Sequence, residues 1–234
     1  MDADDLVKQK LNELKQARAP KINPQQQPHK YPPFYVGVVK NTPYFPDTTM
    51  ITLMQVASLM GRVFRYITIT GSALSVARGM LFKEIKRHMI QNGDDIKNTY
   101  VLLIDSDMLT LNTPQELVEI FKDAEAKNIN IAGYYKKVDG SSVIIGTLSN
   151  DTAPVLLNEK HEDWAKYNTY VPTYKRWYYP VGFYYGNFMP FDYVWHMDLK
   201  GEDIYFNEEN SFLWERTYID KRIKLGHIKE IVIQ

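Results

Sequence analysis

The chain has 234 residues, the size of one ordinary domain or two small ones. Lys+Arg and Asp+Glu number 28 each, so the formal charge is zero and the basic surplus of a general nucleic-acid binder is missing. Cysteine is absent, which excludes disulfides, zinc–thiolate sites, iron–sulfur clusters and cysteine nucleophiles, and a 44% hydrophobic, 24% charged composition excludes wholesale disorder, collagen and coiled coil. The unusual quantity is the aromatic share of 13%, with 17 Tyr, 10 Phe and 4 Trp.

The start, Met1-Asp2-Ala3-Asp4-Asp5, is acidic and leads into no apolar core, so it does not read as a secretory signal. No apolar run approaches the roughly 18 residues that span a bilayer. The expectation is a soluble, cytoplasmic protein. Residues 2–18 place Leu6, Val7, Leu11 and Leu14 at helical spacing, and Pro20 to Pro28 form a Pro/Gln-rich linker. The first thirty residues are therefore expected to be an appendage, and residues 31–234 a single domain. Such an arm either packs on a partner or second subunit or lies free in solvent.

Phe34–Val39 reads as a buried strand. Met50, Leu53, Met54, Ala57 and Met60 form a helical stripe over 49–61. Tyr66–Thr70 is strand-like and rich in β-branched residues. A second helix is expected over 73–91, with Leu74, Ala77, Leu81, Ile85 and Met89 on one side. Tyr100–Ile104 is apolar on both faces, as suits a sheet covered on both sides. Thr113-Pro114-Gln115-Glu116 announces a third helix: Thr113 caps, Pro114 takes the first helical position, and Glu116 completes a capping box. Asn130–Tyr135 and Ser142–Leu148 are further strands. This alternation predicts an α/β fold with three layers and a central, mostly parallel sheet. From about residue 150 the regularity gives way to loops and aromatic residues. A nucleotide-binding half (31–150) and a substrate-shaping half (151–234) fit that shift.

Asp105-Ser106-Asp107 follows the most apolar strand. Open α/β sheets bind ligands beyond the carboxyl ends of their strands. Two carboxylates this close repel each other unless a cation stands near, and Mg²⁺ or Mn²⁺ commonly joins one or two carboxylates to a diphosphate. Three chemistries use the pattern: sugar transfer from a nucleoside diphosphate, phosphate hydrolysis through an aspartyl nucleophile, and nucleotidyl transfer. A solvated acidic turn is the bland reading.

Four segments, in order, resemble the GT-A-fold glycosyltransferases, in particular the family-2-like enzymes of bacteria, archaea and their viruses. They are Gly71-Ser72-Ala73-Leu74-Ser75-Val76-Ala77-Arg78-Gly79; Val101 to Met108 with its Asp-x-Asp; Gly201-Glu202-Asp203; and Tyr218-Ile219-Asp220 with Leu225-Gly226-His227-Ile228. The family's Asn after Ala-Arg is Gly79 here. The resemblance spans roughly residues 34–230 and implies a Rossmann-like α/β/α GT-A fold with a mixed, mostly parallel sheet. It also implies a Mn²⁺- or Mg²⁺-dependent transfer from a nucleoside-diphosphate sugar to a glycan, protein or lipid-linked acceptor, in the cytoplasm (the host's, for a viral protein). Asp105, Asp107 and His227 are its metal residues, with Asp107 the more direct ligand. Asp203 is its general base and Glu202 orients the acceptor. Thr42, Pro43, Ser72, Arg78 and Ser106 border the nucleotide. Arg78 alternatively pairs with Glu84 at the surface, and His227, Glu202 and Asp203 alternatively serve as turn and cap residues.

The aromatic surplus is concentrated between Trp164 and Trp195, just before Gly-Glu-Asp. Aromatic faces stack on sugar rings, and Tyr and Trp also populate cores and subunit interfaces. Trp177, Tyr179 and Tyr184 are the expected acceptor contacts, and a homo-oligomer through this surface or the N-terminal arm is the structural counterpart. Two other classes remain open. A haloacid-dehalogenase-like phosphatase would use Asp105 as nucleophile, although Leu109 departs from its motif and two βα units precede the Asp pair. A non-catalytic relative would use the aromatic residues only to hold sugar.

Overall fold

The computed structural model describes residues 31–40, 45–70, 73–136, 142–146, 155–157, 162–173, 182–187, 189 and 210–228. They belong to one unit, Tyr31–Gln234. The expected helix over 2–18 and its linker lie outside the described residues.

Strands β1 (Phe34–Lys40), β2 (Phe64–Thr70) and β3 (Val101–Asp105) alternate with helices α1 (Asp47–Leu59) and α2 (Leu74–Asn92). β2 and β3 both pair with β1 in parallel, with Phe34 opposite Phe64 and Val39 opposite Asp105. After a short strand β4 (Met108–Thr110), helix α3 (Pro114–Lys127) leads into β5 (Asn130–Ala132) and β6 (Tyr135–Lys136). The remaining elements are β7 (Ser142–Gly146), β8 (Val155–Leu157), the one-turn α4 (Glu162–Ala165), β9 (Tyr170–Pro172), β10 (Phe183–Gly186), a 3₁₀ helix at Ser211–Arg216, β11 (Thr217–Asp220) and β12 (Leu225–His227).

The main sheet runs β2-β1-β3-β10-β5-β11-β9, and a second sheet runs β4-β12-β6-β7-β8. In the main sheet β10 and β9 are antiparallel to their neighbours and the other five strands share one direction. The mixed, mostly parallel α/β sheet expected from the sequence is therefore the one observed. Strand alternation divides the core. Tyr35, Val39, Val101, Leu103 and Tyr184 pack with Ala77, Leu81, Ile85 and Met89 of α2. Phe34, Val36, Val38, Leu102, Ile104, Phe183 and Tyr185 pack on the other face with Leu53, Val56 and Ala57 of α1 and Leu117, Ile120, Phe121 and Ala124 of α3. No helix among the described residues is long and apolar enough to cross a membrane.

One expected strand is two. Asn130–Tyr135 breaks after Ala132, so that β5 stays in the main sheet and β6 joins the second. A Cβ at Gly133 would stand 2.7 Å from Leu225 Cδ1 and 2.8 Å from Ile223 Cγ2, so a larger residue at this crossing between sheets would force its neighbours to shift. Opposite the carboxyl ends of the strands, Arg62 donates to both oxygens of Glu125 at 2.7 and 2.6 Å, and Tyr185 donates to the same carboxylate. Burial pushes the Tyr185 hydroxyl well above its ordinary pKa, which keeps the proton on it. This network ties the segment after α1 to α3 beneath the stack of Phe121 on Tyr185, at 4.1 Å between ring centroids.

The α3 start forms as its sequence predicts: Thr113 Oγ1 accepts from the Glu116 amide, and Glu116 Oε2 accepts from the Thr113 amide at 2.8 Å. Thr113→Ala should lower unfolding free energy by about 1 kcal/mol in a denaturant titration, the usual cost of a lost N-cap. Further along α3, hydrogen bonds from Lys127, then Tyr170 and Arg222, hold the Asp123 carboxyl down to about 2 from its ordinary 3.8. A carboxyl depressed in the folded state contributes stability above its unfolded value and loses it as pH falls through the folded value. Stability should fall between pH 3.8 and about 2, and Asp123→Asn should flatten that loss in melting curves taken across the range.

Candidate functional site

Alternation along β3 continues one residue past its apolar stretch. Val101 and Leu103 face α2, so Asp105 faces α2 as well. Arg78 stands in the first turns of α2, on the side that also presents Ala77 and Leu81 to the sheet, and is 3% exposed. Its Nη2 donates to Asp105 Oδ1 at 3.1 Å and Oδ2 at 2.9 Å. Arg78 thus pairs with Asp105 and not with Glu84, its alternative partner in the sequence, which meets Arg87 and His88. On its other side Asp105 meets the start of β10. Its amide donates to the Gly182 carbonyl at 2.9 Å, and a Cβ at Gly182 would lie 2.9 Å from Asp105 Oδ2. A side chain there would displace the carboxylate from Arg78.

Ser106 and Asp107 form the turn from β3 to β4, with Ser106 buried. Two contacts hold β4. Thr49, fully buried in the first turn of α1, donates to the Met108 carbonyl at 3.3 Å and accepts from the Thr110 amide at 3.2 Å. Strand β12 pairs antiparallel with β4, Met108 opposite His227 and Thr110 opposite Leu225, and the Ile228 amide donates to the Asp107 carbonyl at 3.0 Å. This pairing carries His227, late in the chain, to the acidic turn. His227 Nε2 lies 3.2 Å from Asp107 Oδ2, both side chains being largely buried. The Tyr135 ring stacks on the imidazole.

The two carboxylates of Asp-x-Asp therefore have different partners, Asp105 a guanidinium and Asp107 an imidazole. Among the described residues no group of three His, Asp or Glu is gathered to hold a metal alone. Asp107 and His227 still fit one. Neighbouring ligands of an octahedral ion bound at about 2.1 Å stand about 3.0 Å apart, close to the 3.2 Å between His227 Nε2 and Asp107 Oδ2. An ion that takes two protein donors and completes its shell with phosphate and water oxygens suits a site of this kind.

Tyr184 is not at a surface. It is fully buried on the α2 face of β10, its hydroxyl 3.2 Å from Thr217 Oγ1, and the open ring face that sugar stacking requires is absent. Thr42, Pro43, Ser72, Trp177, Tyr179, Glu202 and Asp203 lie outside the described residues. Sequence reasoning missed Thr49, Tyr135 and Gly182. Their only signals were a polar residue at a core position of an amphipathic helix, an aromatic residue ending a strand, and a glycine ahead of an aromatic strand.

No protein-family model and no curated protein matches the chain. Among solved structures it is similar to one assigned as a glucose-1-phosphate thymidylyltransferase from Bacillus anthracis. That alignment has 10% identity and a TM-score of 0.31, and covers 65% of this chain and 71% of that one. A likeness this distant carries no argument about chemistry.

Arg78→Met strands a half-buried carboxylate and should cost about 1.5–3 kcal/mol in equilibrium unfolding. Adding Asp105→Asn to that background should cost much less than Asp105→Asn alone, giving a coupling of about 0.5–3 kcal/mol in a double-mutant cycle.

Proposed function

We propose that the chain is a metal-dependent glycosyltransferase of the GT-A type, moving a sugar from a nucleoside diphosphate to an acceptor hydroxyl. The observation that carries this reading is the meeting of Asp107 with His227 through the β4–β12 pairing, beyond the carboxyl end of β3. It joins two motifs that the family resemblance names and that lie more than a hundred residues apart. Asp107 and His227 hold Mn²⁺ or Mg²⁺, which when bound supplies a Lewis acid against the charge on the departing diphosphate. Arg78 holds Asp105 fixed and adds positive charge near the phosphates. Asp105 would accept from the ribose. Ser106, with Thr42, Pro43 and Ser72, borders the nucleotide.

In the transfer the acceptor oxygen forms a bond to the anomeric carbon as the bond to the diphosphate oxygen breaks. Attack comes from the face opposite the diphosphate, so the anomeric centre inverts; the acceptor proton passes to Asp203, and Glu202 orients the acceptor. Trp177 and Tyr179 present ring faces to the acceptor sugar. The aspartyl-phosphatase reading is the weaker, because both oxygens of Asp105 accept from Arg78 and a salt-bridged carboxylate is a poor nucleophile.

Thermal shift with UDP and GDP, with and without Mn²⁺, tests the assignment. Stabilisation by one nucleotide only when metal is present is the expected result, at about 2.7 kcal/mol for a hundredfold excess over Kd. Asp107→Asn should abolish it. Asp203→Asn should keep it and lower transfer by a factor of at least about 10². Sugar binding that survives both changes, with no nucleotide effect in the wild type, would replace the enzyme with a carbohydrate-binding protein.

A further inference from the structure

The geometry points to Tyr135 as the positioning residue for His227, an inference that rests on the metal reading above. A ligating histidine usually has its second ring nitrogen held by a carboxylate, carbonyl or water, which fixes the ring's orientation. Among the described residues no carboxylate or carbonyl meets the buried Nδ1 of His227, while Nε2 faces Asp107. The torsion that turns an imidazole is soft, and a half-turn would bring a ring carbon to the place of Nε2. A contact on the ring face can set the plane instead.

Tyr135 makes that contact. Its ring lies 4.9 Å from the imidazole centroid at an interplanar angle of 15°. The backbone explains why it is there. The break at Gly133 sends β6 into the second sheet, where Tyr135 pairs in parallel with Leu225, two residues before His227. A ring stacked on the imidazole face opposes tilting, and a half-turn must pass through an edge-on orientation that meets the tyrosine. Tyr135 thus sets the plane of the ring, and Asp107 sets which edge faces it. The ring carries this role, so phenylalanine should fill it.

The test uses the full-length chain without metal first. In proton spectra of ¹³C-histidine-labelled protein, the signals absent from His227→Ala identify His227. Their ring-current shift should persist in Tyr135→Phe and vanish in Tyr135→Leu. Mn²⁺ affinity is then read by paramagnetic resonance of the free ion, with and without UDP or GDP. Tyr135→Phe should bind within about twofold of wild type and Tyr135→Leu about tenfold or more weakly, the cost of losing a partner that orients a metal ligand. Tyr135→Met replaces Leu if that variant fails to fold. Wild-type Mn²⁺ affinity in a folded Leu or Met variant, with His227→Ala weakened, would overturn the role of Tyr135 alone. Unchanged affinity in His227→Ala would overturn the metal reading beneath it.

Discussion

Strand β10 is the constraint on which the described architecture turns. Residues 183–186 lie antiparallel between β3 and β5 and bond to both. Among the described residues, no other strand joins the β2-β1-β3 half of the sheet to the β5-β11-β9 half. Its three aromatic side chains, at most 1% exposed, fill both core layers at once: Tyr184 against the α2 side, Phe183 and Tyr185 against α1 and α3. At one end Tyr185 reaches the Arg62–Glu125 pair, and at the other Gly182 closes on Asp105. Packing and site geometry are thus set by the same few residues.

The second organising fact is that two carboxylates one residue apart are drawn into different environments. Period-two alternation sends Asp105 toward α2, where a buried guanidinium neutralises it. The turn that follows releases Asp107 to the second sheet, where it meets an imidazole from β12. The two carboxylates are thereby held by separate partners from different elements, Asp105 by α2 and Asp107 by β12. Thr49 reinforces this from a third direction, since one hydroxyl fastens β4 to the first turn of α1.

Much of this was legible in the sequence, and the boundary follows the physics. Local signals were read correctly. Thr113, Pro114 and Glu116 marked the start of α3 because capping depends only on residues within one turn. The apolar stretch before Asp105 marked a doubly covered strand for a similar reason. Non-local pairings were not legible. Gly133 marks a break within Asn130–Tyr135, but not that the two halves join different sheets, since the residues packed around it, Leu225, Ile223 and Phe183, come from far along the chain. Tyr184 reads in the sequence as one of many aromatic residues near a binding surface, and it lies in the core because β10 is an interior strand covered on both faces.

The central place of β10 also has a consequence in time. Its partner Ile104 precedes Phe183 by 79 positions, the difference between 183 and 104 in their pairing. At typical synthesis rates of about 5–20 residues per second, a nascent chain holds β3 with one edge open for about 4–16 s before its antiparallel neighbour exists. That edge belongs to Val-Leu-Leu-Ile, the kind of apolar strand that recruits foreign strands when uncovered. The arrangement that makes the finished sheet continuous therefore exposes its most adhesive strand during biogenesis. Helices α1 and α2, complete before β3 emerges, are the elements positioned to shelter its faces in that interval.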